Sequence, residues 1–141
     1  MITVTLPMPD RNLSFNRIKH WYIVAKGREE QRELALARGA MALAAAGVRA
    51  PFYPSGLVSV SIDVERKARG KVWDAAALVE ATKGYIDGFN EVIYTDDAQI
   101  RSFAVRWDTK PTGNGLIHLY IRALSESQGW PVVAWATEEW R

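Results

Sequence analysis

Asp96 and Asp97 stand side by side between two β-prone runs, Val92-Ile93-Tyr94-Thr95 and Ala98-Gln99-Ile100, just past the end of an expected helix. Adjacent carboxylates at the edge of a strand are the oxygen donors that hard divalent cations prefer. Upstream, Asp74 follows the basic run Arg66-Lys67-Ala68-Arg69-Gly70-Lys71. Carboxylates able to hold a cation therefore neighbour cations able to hold phosphate, the combination that metal-assisted phosphodiester cleavage needs. The plainer use of such residues is that Asp pairs in loops cap and solvate turns.

The elements that must position these groups follow from local patterning. Ile2 to Leu6 alternates and is β-rich, and Pro7 and Pro9 end the strand and open a loop. Trp21 to Ala25 reads as a short strand or extended segment. From about Glu29 to Ala46 the chain is dense in Ala, Leu, Glu and Arg, and Gly47 supplies a stop, which predicts helix one. Its small residues Ala35, Gly39, Ala42 and Ala46 would let it lie close against a sheet or a second subunit.

Leu57 to Val64 alternates strictly, which predicts a strand that buries one face and exposes Ser59, Ser61 and Asp63. Asp74 is a natural N-cap for helix two, expected to end near Asn90, with Leu78, Ala81, Tyr85 and Phe89 on its apolar side and Glu80, Lys83 and Asp87 on the other flank. Such a charged row is ordinarily an exposed face with ion pairs. Ile100 to Trp107 and Leu116 to Ile121 alternate across a Pro- and Gly-containing turn, which predicts a terminal hairpin.

Lys83, Asp87, Asp96, Asp97 and Gln99 occur in an order that resembles the core signature of the RusA-like Holliday-junction resolvases, where a helix with K-x-x-x-D leads through a short hydrophobic turn into D-D-x-Q. Ile2 to Pro9 with the loop Arg11 to Asn16 looks like that family's first strand and substrate-facing loop, and Thr109 to Gly115 before Leu116 is similar to its last hairpin. The resemblance implies an α/β (α+β) domain over residues 1–124, with a small mixed sheet of about four strands and two main helices, followed by a Trp-rich extension over residues 125–141. The implied activity is that of a Mg2+- or Mn2+-dependent endodeoxyribonuclease. It would resolve four-way DNA junctions by paired nicking, as a homodimer, in phage or prophage recombination.

One departure bears on the site. The family usually carries D-x-D-N shortly before the Lys, and without a gap those places fall on Ala77, Val79 and Glu80. Asp74 can substitute only with roughly three extra residues, almost a helical turn. The expected metal ligands are therefore Asp74 and Asp97, meeting at one end of the sheet, with Glu80 as a replacement ligand and Asp63 or Glu65 as weaker ones. Lys83 would offset transition-state charge, and Asp96 would assist or merely cap. Arg11, Arg17, Lys19, Arg66, Lys67, Arg69 and Lys71 are the expected DNA contacts. The alternative is a catalytically degenerate junction-binding protein that keeps the fold.

Composition sets bounds on these readings. At 141 residues, 48% hydrophobic and 24% charged, the chain suits one soluble globular domain. It has no cysteine and only His20 and His118, which excludes thiolate sites and disfavours a histidine-built one. No run of about 18 apolar residues is present to span a bilayer, nor does a signal-peptide pattern open the chain, so a cytoplasmic protein is expected. Net charge is only +2, yet Arg11, Arg17, Lys19, Lys26 and Arg28 follow one another without an acidic residue and are interleaved with Phe15, His20, Trp21 and Tyr22. That mixture suits phosphate contact and base stacking; a solvated segment with buried aromatics would look similar. No phosphate-loop motif or Ser/His/Asp arrangement occurs.

Overall fold

The structure is a computed structural model that describes residues 1–14 and 20–126. Arg17 and Lys19, and all of the Trp-rich extension beyond residue 126, lie outside the described residues. Strands β1 (Ile2–Pro7), β2 (Val58–Glu65), β3 (Ile100–Trp107) and β4 (Leu116–Ala123) form one mixed sheet in the order β1-β4-β2-β3. Helices α1 (Trp21–Ala46), α2 (Ala75–Ala81) and α3 (Lys83–Gly88) supply the apolar cover of the core. The result is the expected α+β domain with a four-stranded sheet. Among the described residues no helix is long and apolar enough to cross a membrane.

The expected terminal hairpin does not form. β3 pairs in parallel with β2, and β4 pairs antiparallel with both β2 and β1, so β2 lies between β3 and β4. Alternation reports which face of a strand is apolar, not which strand lies beside it. Residues 108–115 carry the chain across the end of β2, a span of about 10 Å. Asp108 anchors that crossing by donating its backbone N–H to Val64 O (3.0 Å), and Gly113 N donates to Arg66 O (2.9 Å).

This strand order also corrects the expected exposure of β2. A strand paired on both sides is central, and Ser59, Ser61 and Asp63 are buried, the last completely. Asp63 sits opposite Arg106 of β3 and accepts a bidentate ion pair from it at 2.8 and 2.9 Å. Such pairing is what lets a carboxylate remain charged away from water. Next to it His118 bonds Thr5 (2.9 Å) and Glu65. Burial works to raise the Glu65 carboxyl, but hydrogen bonds from His118 and Asn114 outweigh it and hold the group below its ordinary range. Asp63 and Glu65 are thus committed to structural partners rather than to a metal.

Trp21 to Ala25 is helical, not extended: it forms the first turns of α1. Aromatic and β-branched residues favour strands only weakly. Here the helix is carried N-terminally by tertiary contacts, Arg28 pairing with Glu80 at 2.8 Å. Its buried seam is Gln31, Ala35, Gly39 and Leu43, one residue per turn, and it ends as expected at Gly47, which takes φ 68°.

Helix two is interrupted at Thr82. The Thr82 hydroxyl donates to Val79 O at 2.8 Å, which tightens the turn and splits the helix into α2 and α3. Gln31 of α1 repairs the break: its amide donates to Ala81 O (2.8 Å) and its carbonyl accepts Gly84 N–H (3.0 Å). The helices meet so closely here that a Cβ on Gly84 would lie 2.5 Å from Arg28 O, and one on Gly88 2.5 Å from Arg32 O. Only glycine fits at these two positions.

Candidate functional site

A cleft of about 390 Å³ opens where β1 ends, lined by Met8, Pro9, Asp10, Arg11, Lys67, Gly70, Lys71 and Trp73. Its walls are set by local chemistry. Asp10 caps a 3₁₀ turn by accepting Asn12 N–H at 2.8 Å, which presents Arg11 with its guanidinium 5.8 Å from the Trp73 ring. Trp73 in turn packs on Trp107, ring centroids 6.0 Å apart. On the opposite wall a turn closed by Gly70 N–H on Lys67 O (2.8 Å) presents Lys67 and Lys71.

Arg66 opens that turn but does not line the cleft. It is buried, and its guanidinium donates to Asp108 Oδ1 (2.6 Å) and to the Asp108 carbonyl (3.2 Å). A cation so placed, which also donates to Gly70 O (3.3 Å), holds the loop together. Arg69 is exposed beside the cleft without lining it. Of the expected contacts, then, Arg11, Lys67 and Lys71 converge. Trp73 joins them, and its signal in the sequence is an aromatic two residues beyond the basic run that ends at Lys71.

Asp74 follows Trp73, is exposed, and caps α2 by accepting Ala77 N–H at 2.8 Å. Asp97 lies elsewhere. β2 and β3 run parallel with Val58 opposite Ile100 and Val64 opposite Trp107. Asp97 begins the 3₁₀ turn that enters β3 at Ile100, whereas Asp74 is attached to the Trp107 end. The length of β3 separates them, about 23 Å at the usual strand rise. Asp74 and Asp97 therefore do not meet at one end of the sheet as expected, and cannot share an ion within one chain, since ligand oxygens lie about 2–2.5 Å from a hard cation. The expectation failed because the parallel crossover from β2 to β3 starts and finishes at opposite ends of the sheet.

The group that Asp97 does join is Asp87 and Asp96. Burial first, then hydrogen bonding and charge from Asp87 and Asp96, push the Asp97 carboxyl above its ordinary range. Asp96 caps the turn by accepting Ala98 N–H (2.8 Å), while Gln99 accepts Asp96 N–H (3.0 Å) and donates to Gly56 O (2.9 Å). Gln99 thereby ties the Asp pair to the 50s loop. Glu80 is engaged by Arg28, and Lys83 is exposed on α3, outside the cleft. Among the described residues no three of His, Asp and Glu are grouped so as to hold a metal ion. A single chain thus does not fit the expected metal set.

The raised Asp97 carboxyl has a stability consequence. A folded-state pKa above the unfolded one means that the native state binds more protons, so this contribution is present below the ordinary value of 3.8 and is lost as pH rises through the raised one. Asp97→Asn should therefore lessen the fall in melting temperature over that window. Parallel wild-type and variant curves would show that the three carboxylates do not interact.

Comparison with models of known protein families finds none that matches the chain, and no curated protein matches it.

Proposed function

We propose that the protein is a Mg2+- or Mn2+-dependent endodeoxyribonuclease that cuts branched DNA, a cytoplasmic enzyme working as a homodimer. The observation that carries the reading is the cleft in which Arg11, Lys67, Lys71 and Trp73 converge with Asp74 next in the chain. Cations and a ring in one cleft suit a phosphate backbone with a base beside it. The order Lys83, Asp87, Asp96, Asp97, Gln99 supplies the resemblance to junction resolvases. Because Asp74 and Asp97 lie at opposite ends of the sheet, the reading requires Asp74 of one copy and Asp97 of a second to complete each site, which makes the homodimer obligatory.

The second reading is a junction-binding protein without cleavage. It is favoured by that same separation, and by Ala77 and Val79 standing where the resemblance places acidic residues. The test is nicking of a labelled four-way junction in Mg2+ or Mn2+ by wild type, Asp74→Asn, Asp97→Asn, and the two variants co-expressed. Each variant alone should lose at least about a hundredfold in rate, in line with losing an electrostatic stabiliser of the transition state. The co-expressed pair should regain nicking, since a mixed dimer keeps one intact site. Wild-type cleavage without regain would overturn the site shared between Asp74 and Asp97 of two copies, and tight binding without cleavage would establish the second reading.

A further inference from the structure

Next to the basic cleft is a depression of about 590 Å³, bordered by Asn12, Leu13, Tyr22, Ile23 and Lys26. Met8, Pro9 and Asp10 line both, so the two form one trough, cationic at Lys67 and Lys71 and aromatic at Tyr22. Tyr22, which lines it, is 56% exposed, and Trp21, next to Tyr22 in the chain and outside the lining, is 80% exposed. Both lie in the first turn of α1, their centroids are 6.2 Å apart edge to face, and the His20 ring stacks on Tyr22 at 5.5 Å and 16°.

Exposed rings are costly for a monomer to display unless something covers them. The trough suggests what does. A volume of this order suits a small ligand, so it has room for one or two unpaired nucleotides. Lys26 lies beside the rings, and Arg11, Lys67 and Lys71 continue the positive charge along the track a backbone would take. Glu30 opposes phosphate at one side, and Asp10 is occupied in capping its turn.

We propose that Trp21 and Tyr22 form a stacking platform for unpaired bases of single-stranded DNA, whose phosphates run to Arg11, Lys67 and Lys71. The proposal rests on the DNA-binding part of the reading above and deepens it: the preferred substrate has unpaired nucleotides at its branch point. Phosphate contacts serve duplex and single strand alike, whereas stacking needs an unpaired π-face.

The test is fluorescence anisotropy of a labelled thymidine oligonucleotide and of a duplex of equal length, titrated with wild type, the double variant Trp21→Ala/Tyr22→Ala, Trp21→Phe, and Lys67→Ala/Lys71→Ala. The aromatic double variant should weaken single-strand binding roughly tenfold or more, in line with the loss of one or two stacked bases, and leave duplex binding unchanged. Trp21→Phe should retain most of the affinity. The lysine variant should weaken both ligands and flatten the salt dependence. Unchanged single-strand affinity in the aromatic variant, or equal losses on both ligands, overturns the platform while leaving the DNA reading intact. No wild-type binding to either ligand at low salt overturns both.

Discussion

Asp108→Ala is expected to destabilise the fold by about 3–5 kcal/mol, the cost of removing one partner from a buried ion pair. Asp108 is 2% exposed, and its carboxylate accepts the Arg66 side chain (2.6 Å), the Arg66 backbone N–H (2.9 Å) and Thr112 N–H (3.2 Å). Truncation leaves a buried guanidinium without its counter-charge and two backbone donors unsatisfied. Urea denaturation at neutral pH measures the effect, and a loss under about 1 kcal/mol would be the value of an exposed pair and would refute this arrangement. Arg66 also begins the loop that presents Lys67 and Lys71, so residual folded Asp108→Ala protein should bind DNA more weakly than wild type. Replacing Arg66 and Asp108 together by apolar residues of similar size should cost less than Asp108→Ala alone, because no buried charge is then stranded.

Tyr94→Ala is expected to cost about 3–5 kcal/mol, as for other large aromatics removed from a core. Tyr94 is fully buried, meets Phe89 edge to face at 6.4 Å, and donates its hydroxyl to Ile86 O at 2.6 Å. Burial above all, with the negative charges of Asp97 and Asp87, pushes the phenol above its ordinary range, which favours the protonated donor. Tyr94→Phe should cost only about 0.5–1.5 kcal/mol, the value of one hydrogen bond, because Ile86 O still accepts Phe89 N–H (3.3 Å). The two variants separate packing from polar contributions in one urea series. Equal stabilities for Tyr94→Ala and Tyr94→Phe would mean that the ring fills no tight site. Thr95, Asp96 and Asp97 follow directly, so Tyr94→Ala should also disperse the carboxylate group.

Several local features were legible in the residues because they are decided within one helical turn or one strand. Asp74 as an N-cap, the stop at Gly47, the end of β1 near its prolines and the existence of all four strands depend on a side chain and its near neighbours. The basic loop and Arg11 were legible as cations, but not which of them would be free. Arg66, Lys67, Arg69 and Lys71 look alike in sequence, and only Asp108, forty-two positions from Arg66, distinguishes the buried one from the rest.

Amino-acid sequence alone determined the fold class, the helix caps and the chemical types available to a site. Tertiary structure decided the neighbours. It put β2 between β3 and β4, which buried Asp63 against Arg106. It broke helix two at Thr82, where Gln31 could satisfy the exposed backbone groups. It also sent Asp74 and Asp97 to opposite ends of one sheet while bringing Asp87 to Asp97. The physical reason is one of range: capping, periodicity and turn chemistry act over a few residues, whereas strand order and ion pairing join residues forty or more positions apart, and alternation along a strand carries no label for its partner.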